Sequence, residues 1–337
     1  MKKIVITILF ACIISMLLGT STAIATPDLI AVAPDNANII ASADPVSNEV
    51  KVSTNGGTNW TNLGIPVETG GSPAIAIHDI AISHQTNGIY YIAVSGTDSA
   101  NTANIWYFDL GGTTPAWTET NDLPGYSAPG ANSGAFAIAF SPAFPGDKVM
   151  VAITAVWDGG SNDDYIFFEM FSFNNREWNY EFGLIGYPVT IASNDGITGI
   201  ESASILLDPA YLASDDRTRL AFVNLGVAGD TDAGLLSGLY RLDDYIVSRV
   251  TTAEVLMDLK DDVENSDLSF GIKNSLIANL KNALKSLEKG GYNTATNQLS
   301  AFINEVEAQR GKAITNEKAD ELIAKAELII DIILTNH

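Results

Sequence analysis

The sequence predicts an all-β, propeller-like domain of about four blade units over residues 26–250, followed by a small all-α helical bundle over residues 251–337. Three observations predict this division. Short apolar runs alternate with clusters of Gly, Ser, Thr, Asn and Asp through the first part, the pattern of short strands joined by turns. These runs recur in one order at roughly the 50-to-65-residue span of a four-stranded blade. After Val250 the pattern changes: the remaining residues contain no Pro and no Trp, and their apolar positions fall at helical spacing.

The N-terminus comes first in the chain and reads as a secretory signal peptide over residues 1–25. Lys2 and Lys3 precede an apolar run over residues 4–18, and Ala23-Ile24-Ala25 offers a small-x-small cleavage site, so the expected mature chain begins at Thr26. Left uncleaved, the same segment would anchor the chain in a membrane. A lipoprotein reading through Leu9-Phe10-Ala11-Cys12 fits poorly, because Phe10 is too large and the apolar run continues beyond Cys12. Cys12 is the only cysteine. Its removal leaves no thiol nucleophile, disulfide or zinc-thiolate site. A thiol-free chain with this start suits a bacterial exported protein.

The first unit runs through residues 29–34, 38–40 and 50–52, then Ser53-Thr54-Asn55-Gly56-Gly57-Thr58-Asn59-Trp60, then a strand near Leu63. Gly56 and Gly57 suit a turn that needs positive φ, and Ser53 and Asn55 can accept hydrogen bonds from turn N–H groups. The second unit places strands at residues 77–83, 88–94, 105–108 and 116–118. The third places them at 136–142, 148–153, 165–168 and 177–179, and the fourth at 204–209, 219–223 and 238–242. Trp60, Trp117 and Trp178 stand at equivalent points of three units, and the fourth has no such residue. The simplest role for these indoles is packing between blades. The inner strands are almost uninterrupted apolar runs, as at residues 135–140, which fits strands buried on both faces rather than the alternation of a sandwich. Four units leave open a small closed ring, an open sector, or a shortened propeller completed by a partner.

In the tail, Thr251-x-x-Glu254 is a capping-box start, followed by Val255, Leu256, Leu259 and Val263 on one helical stripe. A second helix carries Ile272, Leu276, Ile277, Leu280, Leu284 and Leu287, ended by Gly290-Gly291. A third carries Leu299, Phe302, Ile303 and Val306, ended by Gly311, and Thr315 caps a fourth with Leu322, Ile323, Ala326, Ile329, Ile330 and Ile333. Four amphipathic helices with short links predict an antiparallel bundle.

Two resemblances follow from these residues. Ser53, Asn55, Gly57 and Trp60 resemble the Asp-box, or BNR repeat, of sialidase-like and sortilin-like β-propellers, with Asn55 in the place of the name-giving Asp. In that family the box is a folding element of a blade hairpin, so the resemblance implies a structural role for these four residues and for the repeat tryptophans Trp117 and Trp178. The tail resembles the FIMAH domain of secreted bacterial multidomain proteins, carried by Leu280-x-x-Ala283-Leu284, Gly291-Tyr292, Leu299-x-Ala301-Phe302-Ile303-x-x-Val306 and Gln309-x-Gly311. That resemblance implies a helical module and no chemistry.

The search for chemistry narrows the function classes. Eighteen basic residues face 40 acidic ones, for a net charge of −22, and such a surface repels nucleic acid. Sialidase-type enzymes clamp a carboxylate with arginines from separate blades. Here the arginines of the β region are Arg176, Arg217, Arg219, Arg241 and Arg249, none of them in the first two units. Glu169, Glu177, Glu181 and Glu201 show no partner spacing and are expected to be solvated or edge-strand acids. His78 and His84, with His337 at the terminus, are too few for a catalytic zinc site, and no Gly-x-Ser-x-Gly elbow is present. Asp158, Asn162 and Asp164 alternate oxygen ligands in a loop and are calcium candidates without EF-hand spacing, as is the Asp230-Thr231-Asp232 turn. No other cofactor is expected and no catalytic residue is assigned. The sequence therefore points to an exported, non-catalytic binding or scaffold protein of the cell surface or extracellular space. It would contact protein or glycan through propeller loops, with self-association as a further partner class. The alternative is a secreted glycoside hydrolase with an accessory helical domain.

Overall fold

The computed structural model describes residues 28–68, 70–128, 130, 132–157, 164–179, 187–193, 197–229 and 236–336. Among them, seventeen strands form four antiparallel sheets. The first contains β1 (Leu29–Ala33), β2 (Asn36–Ala43), β3 (Val50–Ser53) and β4 (Thr61–Gly64). The second contains β5 (Ala74–Ile82), β6 (Tyr90–Asp98), β7 (Ala103–Leu110) and β8 (Trp117–Glu119). β9 (Ser133–Phe140), β10 (Val149–Val156), β11 (Tyr165–Ser172) and β12 (Glu177–Trp178) make the third, and a fifth strand, β13 (Val189–Ser193), shares the outer edge of β11 with β12. The fourth contains β14 (Ile197–Leu207), β15 (Leu220–Gly229), β16 (Gly238–Asp243) and β17 (Ile246–Val250).

Each sheet is a meander, strand following strand, so each sequence unit is one blade-like sheet. The propeller-like all-β region is thus present, with two strands that the sequence reading passed over. β13 has no counterpart in the other units. β17 was missed because the cue for an outer strand was a Trp, and this strand has none.

The innermost strands pack in series: β1 on β5, β5 on β9, and β9 on β14. The apolar cores lie between consecutive sheets. One joins sheets one and two through Ala41, Val50, Ile80 and Trp106. The next joins sheets two and three through Ile105, Met150, Phe171 and Trp178. The third joins sheets three and four through Phe168, Val189, Val223 and Leu242. Among the described residues, β14 does not pack back on β1. Among the described residues the sheets form an open series rather than a closed ring.

A short helix, α1 (Phe144–Asp147), links β9 to β10. The tail forms α2 (Thr252–Asn265), α3 (Phe270–Leu287), α4 (Tyr292–Gln309) and α5 (Asn316–Asn336). Thr251 caps α2 in a complete capping box: its hydroxyl accepts the Glu254 N–H, and the Glu254 carboxylate accepts the Thr251 N–H at 2.7 Å. Gly290 and Gly311 take positive φ where α3 and α4 end. The expected stripes are the core of the bundle, with Leu256, Val263, Leu276, Leu280, Leu299, Phe302, Val306 and Leu322 fully buried. That core continues into the fourth sheet. Phe222 and Leu239 are buried within it, and Leu206, Leu220 and Val250 pack against it. The bundle therefore covers the face of sheet four that points away from sheet three. No helix of the described residues is long and apolar enough to cross a membrane.

Candidate functional site

The turn over residues 53–60 is a closed hydrogen-bond cage. The buried Ser53 hydroxyl accepts the N–H groups of Gly57 at 2.8 Å and Asn55 at 3.3 Å, and donates to Asn55 Oδ1 at 3.0 Å. Asn55 Oδ1 in turn accepts the Asn59 N–H at 2.9 Å. An amide oxygen serves this purpose as a carboxylate would, so Asn at this position keeps the turn closed. Gly56 and Gly57 both have positive φ. The Trp60 indole folds back and donates to Gly57 O at 3.1 Å.

The three tryptophans differ in what they reach. Trp178 is fully buried between sheets two and three and donates to Thr120 O, just beyond β8, at 3.0 Å. Trp117 is 7% exposed and donates to Leu63 O of β4 at 3.0 Å. Each indole bonds backward to the preceding sheet. Trp60 belongs to the first sheet, has no preceding sheet, and is 43% exposed.

The buried carboxylates hold the sheets to one another. Asp79 on β5 accepts the Ile80 N–H at 2.8 Å and, across the seam, the Ile138 N–H of β9 at 2.9 Å. Burial pushes its carboxyl up to about 6. Asp147 accepts the Ser141 hydroxyl at 2.6 Å and the Ala213 N–H, from the connection between β14 and β15 of sheet four, at 3.1 Å. Asp164 is 2% exposed and accepts the Ile197 N–H at the start of β14 at 2.9 Å.

Glu169 is completely buried, a correction to the solvated position expected for it. Its carboxylate accepts Asn179 Nδ2 at 2.9 Å, the Ser127 N–H from the link between sheets two and three at 3.0 Å, and the Thr154 hydroxyl. Burial pushes its carboxyl above the usual carboxylate range, and the hydrogen bonds oppose that rise. Glu201 is exposed and Glu177 half-buried, while Glu181 lies outside the described residues.

His78 is a fifth seam residue. Its ring stacks on Phe136 with centroids 4.7 Å apart, and Nδ1 lies 2.8 Å from Ala135 O. Burial pulls its affinity for a proton below that of a free imidazole.

Three of the arginines are engaged in ion pairs: Arg217 with Asp215 at 3.0 Å, Arg219 with Asp244 at 2.9 Å, and Arg241 with Asp258 of α2 at 2.7 Å. Of the calcium candidates, Asp158 and Asn162, together with the 230–232 turn, lie outside the described residues; Asp164 serves the seam just described. Among the described residues no group of His, Cys, Asp and Glu is arranged to hold a metal ion.

A cleft of about 290 Å3 lies where sheet four meets the bundle, with Phe222, Leu259 and Ile329 among its apolar lining. Its charged rim is already paired, Arg241 with Asp258 and Lys325 with Asp262 at 2.7 Å, so the cleft reads as a joint between the two parts.

Sequence reasoning missed the seam carboxylates. One signal was available: Asp79 is a lone acid inside the apolar run Ile77-His78-Asp79-Ile80-Ala81-Ile82, where an unpaired charge would be costly.

No curated protein matches the chain. Among solved structures it resembles the GH74 xyloglucanase from Xanthomonas campestris at 11% identity, covering 67% of this chain and 30% of that one, with a TM-score of 0.38. It also resembles a GH43_12 retrieved from capybara gut metagenome, at 11% identity over 66% of this chain and 41% of that one, TM-score 0.36. A third is YCF48 from Cyanidioschyzon merolae, at 19% identity over 70% of this chain and 62% of that one, TM-score 0.30. The chain spans less than two thirds of the length of each. Residues 253–331, spanning nearly all of the four-helix tail, match the FIMAH domain.

Proposed function

We propose that the chain is an exported, non-catalytic binding or scaffold protein of the cell surface or extracellular space, whose sheets are relatives of Asp-box blades and whose loops contact protein or glycan. The observation that carries this reading is the use made of the buried acids. Asp79, Asp147 and Glu169 each accept an N–H group from a different sheet or its connecting link. A glycoside hydrolase needs two carboxyl groups about 5 to 10 Å apart and facing a cleft that admits a sugar. Carboxylates satisfied by backbone and side-chain donors inside a seam serve cohesion instead. The closed turn around Ser53 and Asn55 supports the kinship with Asp-box sheets, since both side chains accept turn N–H groups as that role requires. Export, with cleavage after Ala25, rests on the N-terminal residues alone.

A glycan-array screen run beside a polysaccharide-hydrolysis screen tests the reading. Retention on defined glycans or on a cell-surface protein fraction, without product release, is the expected result. Release of reducing sugar that is lost on mutation of a single carboxylate would overturn it in favour of the hydrolase.

A further inference from the structure

We infer that the outward face of the first sheet is a self-association surface, which pairs with the same face of a second copy about a two-fold axis. Alternate residues of β1 to β4 point away from sheet two. They are Ile30 and Val32 on β1, Ile40 and Ser42 on β2, and Lys51 and Ser53 on β3, brought into rows by the pairs Ile30 with Ser42, Val32 with Ile40 and Ser42 with Lys51. Ile30 is 62% exposed and Val32 41%. Trp60 stands beside them, within about 4 Å of the Cβ position of Gly57, which the Ile40 side chain also borders.

Three arguments identify the occupant. The first is the repeat itself. Trp117 and Trp178 each place their indole against the sheet that precedes them, so the Trp60 side of a blade is the side that takes another sheet. The second is availability. Both faces of sheets two and three are covered by neighbours, and the outer face of sheet four is covered by the bundle through Phe222 and Leu239. Among the described residues, the uncovered sheet face that a second copy can present is therefore the first sheet's own, and a face that pairs with itself gives a closed two-fold dimer.

The third is charge. The chain carries −22, so most surfaces of two copies repel. The strands of the first sheet contain no acid and one cation, Lys51, and the Asp28 carboxylate just before β1 reaches the same row by accepting the Ser42 hydroxyl at 3.1 Å, so one acid faces one cation there. The long Lys51 stem can lie along the apolar face with the ammonium at the rim. Strands of five residues set about 5 Å apart make a plane of only some 300 Å2, so the pair belongs with the small interfaces and its dissociation constant falls in the micromolar range or above.

Sedimentation equilibrium from about 1 to 300 µM, spanning the affinity that small interfaces have, tests this on the full chain expressed with its own N-terminal segment, so that processing proceeds as in the cell. The expected result is a monomer–dimer equilibrium. Ile30→Lys places a charge in the centre of each face and should raise the dissociation constant about tenfold or more. Ile246→Lys, on the equally exposed Ile246 of sheet four, should leave it unchanged. A monomer throughout the range, or equal loss with both variants, or no loss with Ile30→Lys, overturns the inference. A second readout needs no variant: hydroxyl-radical oxidation of Trp60 in the unaltered chain should fall severalfold at the high end of the range. Unchanged labelling overturns the inference as well.

Discussion

Asp79 offers the sharpest test of the idea that buried acids hold the seams. Its carboxyl titrates near 3.8 in an unfolded chain and at about 6 in the fold, where burial between β5 and β9 outweighs the two N–H groups that favour the anion. That difference of roughly two units corresponds to about 3 kcal/mol. The sign follows from the direction. Between those values the folded chain keeps a proton that the unfolded chain has released, so proton binding favours folding. The stabilisation is complete below about 3.8 and is lost as pH rises through about 6.

Asp79→Asn removes the titration and keeps a side chain of similar shape. Asn has one oxygen for two N–H donors, so one donor is left without a partner, at a cost of about 1 to 3 kcal/mol. At pH 4 the variant should be less stable than the parent by that amount. By pH 7 the parent has lost its proton-linked stabilisation, and the gap should close by about 2 to 3 kcal/mol. Urea unfolding followed by tryptophan fluorescence at unit pH steps measures both chains, and subtracting one stability curve from the other cancels every other acid. Parallel curves, with a pH-independent difference, would refute the argument. So would a gap that widens with pH, because it would mean that the two N–H groups hold the anion more strongly than burial opposes it.

Three further outcomes follow from the geometry. Trp178→Ala should cost about 3 to 5 kcal/mol and Trp60→Ala about 1 kcal/mol or less, because the first indole is fully buried in a seam and the second is 43% exposed; urea midpoints of dilute samples check the contrast. In the turn, Asn55→Asp should be neutral within about 0.5 kcal/mol and Asn55→Ala should lose about 1 to 2 kcal/mol, since only the alanine removes the acceptor for the Asn59 N–H; thermal unfolding distinguishes the two. Thr251→Ala removes the hydroxyl that accepts the Glu254 N–H, leaves the backbone N–H arm of the capping box, and should cost the bundle about 1 kcal/mol, read by circular dichroism at 222 nm.

The parts of this molecule legible in its sequence are those set by local rules. The helices could be read because each stripe, such as Leu276, Leu280 and Leu284, is contained in one element, and because Thr251, Gly290 and Gly311 mark its ends. The turn around Ser53 could be read because its side-chain hydrogen bonds fall within a few residues. Glu169 was misread because Thr154, Ser127 and Asn179 meet it from separate elements, and no spacing rule links residues that the sheet stacking brings together. The open arrangement was equally hidden. Nothing in β1 or β14 taken alone says whether one will pack on the other. The exposed Ile30 and Val32 become informative only when the remaining faces are seen to be covered.

A stack of sheets has two ends, and the way each is finished explains features that the repeat alone does not. In repeat architectures every internal unit buries both faces against neighbours, while the terminal units must be made atypical to stay soluble. The last sheet is atypical in lacking the repeat Trp and in setting Phe222 and Leu239 on its outward face, and both are buried because the helices cover them. The Arg241–Asp258 pair is part of the same joint, but at an exposed rim it is worth at most about 1 kcal/mol, so the apolar contact holds the bundle in place. Among the described residues the first sheet has no such cover. It keeps the tryptophan, carries no acid on its strands, and leaves Ile30 and Val32 in water. A chain with a net charge of −22 has ample acid to solubilise an end face, yet the strands of this face supply none, and the Asp28 carboxylate that reaches it at Ser42 is matched by Lys51. One end of the stack is therefore closed from within the chain, and the composition of the other suits closure by a second molecule.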